Sequence, residues 1–226
     1  MLSSDRAYHH RLVDGRRFLS PPGKVVCVGR NYAAHARELN NPVPESPLLF
    51  IKPFTAVVFL DQPLILRKAL GPCHYETEMT VLIGKRLSEC DPDQARDAIA
   101  GVGIGLDLTL RALQDQLKAD GHPWEKAKAF DGSCALSRFA PYKGGDLQSL
   151  DVRLERNGRR VQSGNTAQMC FPVVDLLCEI SRFFTLLPGD VVFTGTPEGV
   201  GALEEGDHLR LMLGDLVSVE TSVTYC

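Results

Sequence analysis

The apolar residues of this chain fall into many short runs, each closed by proline, glycine or a charged residue. The runs at 25–28, 48–51, 79–83 and 191–194 are rich in valine, leucine and isoleucine, which is typical of strands. Strand patterns outnumber helical patterns and do not alternate regularly with long helices. The sequence therefore predicts an α+β fold, mainly β, built from mostly antiparallel strands with peripheral helices.

A few local signals predict individual elements. A helix is expected from Asp91 to about residue 100, because Asp91 suits the N-cap and proline follows it. Helical patterns also cover 110–119 and 173–184. Asn157-Gly158 lies between two strand-like runs, which predicts a β-hairpin.

Composition and charge exclude several classes of protein. The 226 residues are 44% hydrophobic and 23% charged, with a formal net charge of −3, as in ordinary globular proteins. A weakly acidic chain is a poor partner for nucleic acid or an anionic membrane surface. Its apolar runs are too short to span a bilayer, and no secretory h-region is visible near the start. We expect no nucleic-acid and no membrane partner.

The seven cysteines are odd in number and contain no CxxC pair. This favours unpaired thiols in a reducing compartment over a disulfide framework or a zinc site. A cytoplasmic location is therefore expected.

Residues 1–23 are polar and end in Pro21-Pro22-Gly23, which predicts a lead-in segment before a single domain over 24–226.

Two glutamates, Glu76 and Glu78, begin a β-branched apolar segment. Residues two apart in a strand point to the same side, so the two carboxylates are expected to lie close together. Such a pair repels unless a proton or a cation lies between them. A solvated strand face is the alternative, since most glutamates are exposed.

Asp107 ends the glycine-punctuated strand pattern at 102–108, where functional side chains are often placed. Together with Glu76 and Glu78 it gives an all-oxygen ligand set, which suits Mg²⁺ or Mn²⁺. Considered alone, Asp107 is as well explained as an N-cap of the following helix.

Four other residues are candidates for substrate contact or charge stabilisation. Arg111 and Gln114 share one face of the next helix and could grip a carboxylate, although an exposed polar face explains them too. Lys128 could stabilise an enolate, but lysines are common around it. Thr196 lies in a glycine-rich turn, GTPEGVG at 195–201, which is neither a Walker nor a GxGxxG loop.

His35 and Glu38 are three residues apart on a short predicted helix at 33–39. A carboxylate that orients an imidazole can make a general base for water. The same spacing also occurs by chance on solvated helices.

Taken together, these motifs resemble the fumarylacetoacetate hydrolase family, and in particular its short acylpyruvase branch. Order and spacing agree from about residue 24 to the end of the chain. The motifs are VVCVGRNY at 25–32 with His35 and Glu38, HYETE at 74–78, LDLT at 106–109 with Arg111 and Gln114, KAKAF at 126–130, and TGTPEGVG at 194–201.

The resemblance implies a role for each residue and a β-roll-like fold, usually in a homodimer. It implies that Glu76, Glu78 and Asp107 bind Mg²⁺ or Mn²⁺, that His35 and Glu38 activate water, and that Lys128 stabilises negative charge. It places Arg30, Arg111, Gln114 and Thr196 against the substrate.

The implied substrate is a small α-keto acid. The main hypothesis is hydrolysis of acylpyruvates to pyruvate and a carboxylic acid, with the cation and Lys128 stabilising a pyruvate enolate. The alternatives are oxaloacetate decarboxylation or tautomerisation, a hydroxymuconate-type isomerase or decarboxylase, and a non-catalytic metal-binding relative. Substrate choice is expected to depend on the loop at 40–45 and on the surroundings of Trp124. Ala112 stands where many family members have aspartate, which could weaken support of Arg111.

Overall fold

The computed structural model of the chain describes residues 8–39 and 41–226. Its strands, in chain order, are β1 (Val25–Gly29), β2 (Leu48–Lys52), β3 (Val57–Phe59), β4 (Leu64–Leu66), β5 (His74–Tyr75), β6 (Thr77–Ile83), β7 (Ile99–Asp107), β8 (Cys134–Leu136), β9 (Ala140–Pro141), β10 (Asp151–Arg156), β11 (Arg159–Asn165), β12 (Val191–Phe193), β13 (Gly201–Ala202), β14 (His208–Leu213) and β15 (Val217–Tyr225).

The helices are few and short. They are α1 (Ala33–Glu38), α2 (Pro92–Asp97), α3 (Arg111–Ala119), α4 (Glu125–Lys128) and α5 (Val173–Phe183), with single 3₁₀ turns at Phe54–Ala56, Lys68–Leu70 and Thr166–Gln168. No helix among the described residues is long and apolar enough to cross a membrane.

The strands form one large curled sheet, one smaller sheet and a separate two-stranded pair of β5 and β13. The large sheet has the order β2-β1-β12-β6-β7-β8-β3, with β9 also paired to β7, and the smaller one has the order β11-β10-β14-β15-β4. Strands β2 and β3 lie at opposite edges of the large sheet although only residues 53–56 separate them in sequence. The sheet therefore has to curl until its two edges approach each other.

Most neighbouring strands are antiparallel, as predicted, so the α+β, mainly β fold class is confirmed. The pairs β1–β12, β3–β8 and β4–β15 are parallel, which makes both sheets mixed. The predicted hairpin joins β10 to β11, and Asn157 and Gly158 have φ angles of 53° and 74°. These left-handed angles are the ones that a tight hairpin turn requires and that Asn-Gly tolerates.

The curled sheet buries two apolar cores. One lies between the two sheets, where β6 contacts β10 and β7 contacts β14. The other lies inside the curl and includes Leu82, Phe139 and Phe193. Alternate glycines of β7 allow this inner packing, since a Cβ at Gly105 would lie 2.6 Å from Phe193 Cζ.

The helix predicted to run from Asp91 to residue 100 is shorter than expected. It begins with an Asp91–Gln94 capping box but ends at Asp97, and the chain joins β7 at Ile99. Pairing of Ile99 with Ile83 buries this segment in the sheet, and tertiary pairing overrides the local helical pattern.

Of the predicted lead-in over 1–23, residues 1–7 lie outside the described residues. Residues 8–23 pack against the large sheet: Leu12 forms a bridge with Phe139, and the buried ring of His10 donates from Nε2 to Gly189 O over 2.9 Å. The seven cysteines are all free thiols, as predicted.

Candidate metal centre and active site

Three carboxylates meet at one end of the curled sheet. Glu76 directly precedes β6, Glu78 lies within it, and the antiparallel register of β6 and β7 places Asp107 beside Glu76, with Asp107 N–H donating to Glu76 O over 2.9 Å. One carboxylate oxygen from each residue lies within 4.8 Å of the others, and all three residues are buried. The pair is therefore in the protein interior, not on a solvated strand face.

Asp107 does not cap a helix. Helix α3 begins at Arg111, and its N-cap is Leu110, which makes no side-chain capping bond. The carboxylate of Asp107 instead points into the acidic group formed with Glu76 and Glu78.

Lys128 binds two of the three carboxylates. Its Nζ donates to Glu76 Oε2 over 2.7 Å, to Asp107 Oδ2 over 2.8 Å and to Thr109 Oγ1 over 2.7 Å. Burial alone would lower the pKa of Lys128, but Asp107 and Glu76 outweigh it and raise that pKa. Lys128 is therefore a permanent buried cation.

Arg111 pairs with the other oxygen of Glu76, and its Nη1 also donates to Gln114 Oε1 over 2.8 Å. Burial would raise the pKa of Glu76, but Lys128 and Arg111 outweigh burial and lower it. The Arg111 Nε is buried without a hydrogen-bond partner among the described residues. Ala112, at the next position, supplies no carboxylate, yet Arg111 makes both of its main contacts, with Glu76 and with Gln114.

Lys52 is a site residue that the sequence did not reveal. It is completely buried, and its Nζ lies 2.8 Å from Asp107 Oδ1. The same ammonium donates to Leu108 O over 3.3 Å, to Ser133 O over 3.0 Å and to the carbonyl of Lys128. In the sequence, Lys52 follows the apolar run at 48–51 and precedes a proline. A lysine at that place is equally well explained as the exposed last residue of a strand, so the pattern did not indicate a buried charge.

Glu78 has no ion-pair partner in the part of the chain that the structure describes. Burial, Asp107 and Glu76 raise its pKa, and its Oε2 accepts a hydrogen bond of 2.5 Å from Gly195 N–H. A buried carboxylate without a cation, beside two further carboxylates, fits a bound divalent ion. Because the donors are all oxygen, they suit a hard cation of the Mg²⁺ or Mn²⁺ type.

Helix α1 carries His35 and Glu38 to the side of this cluster. His35 is buried, and its Nδ1 lies 3.3 Å from Glu38 Oε2. Glu38 also accepts from Gly199 N–H, at 3.0 and 3.2 Å. The glycine-rich turn thus places backbone N–H groups against the chain's own carboxylates, Gly195 on Glu78 and Gly199 on Glu38.

Nine of the ten predicted site residues line one cavity, and Glu38 lies behind His35. Asn41, Leu48, Phe50 and Trp124 complete parts of its wall, and position 40 of the predicted specificity loop lies outside the described residues. Arg30 has a φ of 58°, an uncommon conformation for a residue with a side chain. Thr196 also lines the cavity, but its hydroxyl already donates to Thr77 O over 2.9 Å and accepts from Gln162 Nε2 over 2.9 Å.

Comparison with known proteins gives consistent relatives. Residues 24–224 match the fumarylacetoacetate hydrolase C-terminal family. Oxaloacetate tautomerase YcgM of Escherichia coli is 50% identical over 206 residues, covering 90% of this chain and 94% of that protein. Mitochondrial oxaloacetate tautomerase FAHD1 of Bos taurus is 38% identical over 208 residues, covering 92% and 94%.

A solved structure shows the same fold with ligands. Fumarylpyruvate hydrolase from Pseudomonas aeruginosa, in complex with Mn²⁺ and pyruvate, superimposes with a TM-score of 0.91 at 36% sequence identity, covering all of both chains. The family match spans most of the sequence, and the solved structure shares the fold of this chain. This chain therefore belongs to the fumarylacetoacetate hydrolase family.

Proposed function

We propose that the protein is an oxaloacetate tautomerase that interconverts the keto and enol forms of this α-keto acid. The two relatives compared by sequence, YcgM and FAHD1, are oxaloacetate tautomerases, and the match to this chain covers 94% of each of them. The structural observation that carries the proposal is Lys128 Nζ, a buried cation 2.7 Å from Glu76 and 2.8 Å from Asp107. The sequence motifs implied acylpyruvate hydrolysis as the main hypothesis and oxaloacetate tautomerisation as an alternative. We now prefer the alternative.

The three carboxylates would hold Mg²⁺ or Mn²⁺. When bound, the ion supplies Lewis-acid polarisation of a substrate oxygen. The cationic side chains of Arg30 and Arg111 and the amide of Gln114 line the same cavity, so we assign them to the carboxylates of the substrate. We assign Thr196 to the same wall through its backbone and methyl group, since its hydroxyl is already occupied.

The reaction moves one proton. C3 of oxaloacetate loses a proton to solvent, and the C2 oxygen gains one as the enol forms. Lys128 Nζ would stabilise the negative charge that develops on the C2 oxygen through its fixed positive charge, since Glu76, Asp107 and Thr109 already accept its three N–H bonds. This lowers the barrier because the ammonium is already oriented. No water is consumed, so this reaction does not require a water-activating base.

Acylpyruvate hydrolysis is the second candidate, and the His35–Glu38 contact is the observation that favours it. Glu38 orients the ring of His35 through Nδ1 at 3.3 Å, which leaves Nε2 to accept a proton from water. Attack of that water on the distal carbonyl would break the C3–C4 bond. The fumarylpyruvate hydrolase of similar structure makes this a realistic second activity of one site.

A substrate panel tests the proposal. Oxaloacetate, acetylpyruvate and fumarylpyruvate are each assayed with Mg²⁺ or Mn²⁺ and again with EDTA, following enol absorbance, pyruvate and released CO₂. We expect oxaloacetate tautomerisation to have the highest kcat/KM and EDTA to abolish it. Faster hydrolysis of an acylpyruvate would reverse the order of the two candidates. No turnover despite bound metal would instead indicate a non-catalytic relative.

Two wider assignments accompany this function. We propose that residues 24–226 form the catalytic domain and that residues 1–23 are an N-terminal lead-in, since the family match begins at residue 24. We also propose a homodimer. Light scattering of the purified protein decides the second point, and a mass of 24.8 kDa in solution would contradict it.

A further inference from the structure

Two cysteines from distant parts of the sequence meet on the surface, away from the carboxylate cluster. Cys90 directly precedes the N-cap of α2, and Cys178 lies in α5. The backbone at Cys90 is fixed to α5, because Glu89 N–H donates to Ser181 O over 2.9 Å and Cys90 N–H donates to Ser181 Oγ over 3.0 Å. The position of Cys90 relative to the helix is therefore set by hydrogen bonds.

The sulfur of Cys90 lies against the turn of α5 that carries Cys178. Ser181 Oγ is 3.3 Å from Cys90 Sγ, and Leu177 O is 4.0 Å from it. Cys178 is next to Leu177 and three residues before Ser181, so its side chain projects from the same face of the helix. The Cys90 thiol therefore lies beside Cys178, and burial together with Cys90 raises the pKa of Cys178 to about 11.

Both thiols can be reached from solvent. Each is only partly buried, and both line an open surface pocket with Asp175, Glu179 and Arg182. By contrast, Cys27, Cys73 and Cys134 are fully buried. Partial exposure and a neighbouring thiol are the features that distinguish oxidisable cysteines from structural ones.

The surroundings discriminate between possible ligands. Among the described residues, the three side chains close enough together to hold a metal ion are Glu76, Glu78 and Asp107. No third ligand of the described residues joins the two thiols, so they do not form a metal site. Glu89, Asp175 and Glu179 line the pocket against one arginine. This acidic lining opposes an anionic oxidant such as glutathione disulfide and admits a small neutral one.

We propose that Cys90 and Cys178 are a modification site that forms a reversible intramolecular disulfide with hydrogen peroxide. The Cys90 thiolate attacks one peroxide oxygen, the O–O bond breaks, and Cys90 sulfenic acid and one water form. The Cys178 sulfur then attacks the Cys90 sulfur and releases the second water. Two thiols are oxidised by two electrons, and one peroxide is reduced to two waters.

The order of the two thiols follows from their environment. We assign the first step to Cys90 because Ser181 Oγ lies 3.3 Å from its sulfur and can donate a hydrogen bond to it, so Cys178 acts second and resolves the sulfenic acid. The bridge would join the start of α2 to α5 across a loop of roughly 90 residues. Closing such a loop restricts the unfolded chain, so the oxidised protein should melt at a higher temperature than the reduced protein.

The test uses the full chain with its metal. The protein is exposed to a small excess of hydrogen peroxide, quenched with N-ethylmaleimide, and analysed by intact mass and by non-reducing peptide mapping. We expect the loss of two hydrogens, one cross-linked peptide pair containing Cys90 and Cys178, and full reversal by dithiothreitol. A rise in Tm of about 4 °C or more should accompany the bridge.

Variants separate this pair from the other thiols. Cys90→Ser and Cys178→Ser should each abolish the cross-link, whereas Cys170→Ser and Cys226→Ser should retain it. A bridge to Cys170 or Cys226, or conversion of Cys90 to sulfinic acid while Cys178 stays free, would overturn the proposal. The peptide map of the wild-type protein decides this even where a serine variant fails to fold.

Discussion

The two halves of the candidate active site are built differently. The ionic cluster comprises Glu76, Asp107, Lys52, Lys128 and Arg111. Its carboxylates lie at the start of β6 and the end of β7, and all of its members except the half-buried Arg111 are buried. The His35–Glu38 dyad lies on a helix of six residues, and the side chain of Glu38 is 32% exposed. The cluster is rigid because each of its charges has several partners.

The dyad depends on fewer contacts. Glu38 bonds to His35 and to one backbone N–H at Gly199. An isolated helix of this length is not stable on its own, so α1 keeps its place through tertiary contacts. This difference separates the two proposed reactions: the enolate chemistry would depend on the cluster, and water activation would be added by the dyad. Four variants test this division.

Glu78→Gln should have the largest effect, and it acts on the cluster. It removes the carboxylate that has no cation partner among the described residues while keeping its shape. We expect Mn²⁺ affinity and both activities to fall about a thousandfold, equivalent to ~4 kcal/mol. Calorimetric titration with Mn²⁺ and kinetics on both substrates measure this. Glu198→Gln, an exposed glutamate of the glycine-rich turn, is the control, and equal Mn²⁺ affinity in the two variants would disprove the metal assignment.

Lys52→Met should have the next largest effect, on stability. It leaves Asp107 without one of its cations and removes one donor from each of three carbonyl oxygens. Ser133 O keeps the N–H of Leu108 and Lys128 O keeps the hydroxyl of Ser133. Removing one partner of a buried ion pair costs about 3 kcal/mol or more. Urea unfolding with and without Mn²⁺ measures the loss. Lys85→Met removes an exposed pair with Asp97 and should cost well under about 1 kcal/mol. The role given to Lys52 fails if the two variants are equally stable.

His35→Ala should divide the two reactions. Loss of the base should reduce acylpyruvate hydrolysis about a hundredfold, while oxaloacetate tautomerisation falls less than about tenfold because it consumes no water. The comparison of kcat on the two substrates provides the test. His208→Ala, which removes an exposed histidine beside Glu220, should change neither rate. A parallel loss of both activities in His35→Ala would show that the dyad also serves proton transfer at C3.

Glu38→Gln should have the smallest effect. The amide can still accept from Gly199 N–H but orients an imidazolium less well than a carboxylate does. We expect acylpyruvate hydrolysis to fall about tenfold, with tautomerisation unchanged. The matched control is Arg37→Gln on the exposed side of the same helix. A Glu38→Gln enzyme that hydrolyses acylpyruvates at the wild-type rate would remove Glu38 from the mechanism.

Much of the local structure could be read from the sequence because it is determined by neighbouring residues. The Asn157-Gly158 turn, the N-cap at Asp91 and the two-residue spacing of Glu76 and Glu78 depend on backbone preferences and strand geometry. The end of α2 was missed because pairing of Ile99 with Ile83 decides it, and no local signal reports a pairing across sixteen residues.

The same distinction between local and distant residues applies to the candidate active site. The sequence by itself determined which acidic residues share a strand face, which histidine has a carboxylate one turn away, and which family the motifs match. Only the tertiary structure showed that Lys128, and not Lys126 beside it, bonds Glu76 and Asp107, and that Lys52 completes the cluster. The physical reason is that a buried charge is defined by its partners, and here the curl of the sheet brings those partners together from distant segments.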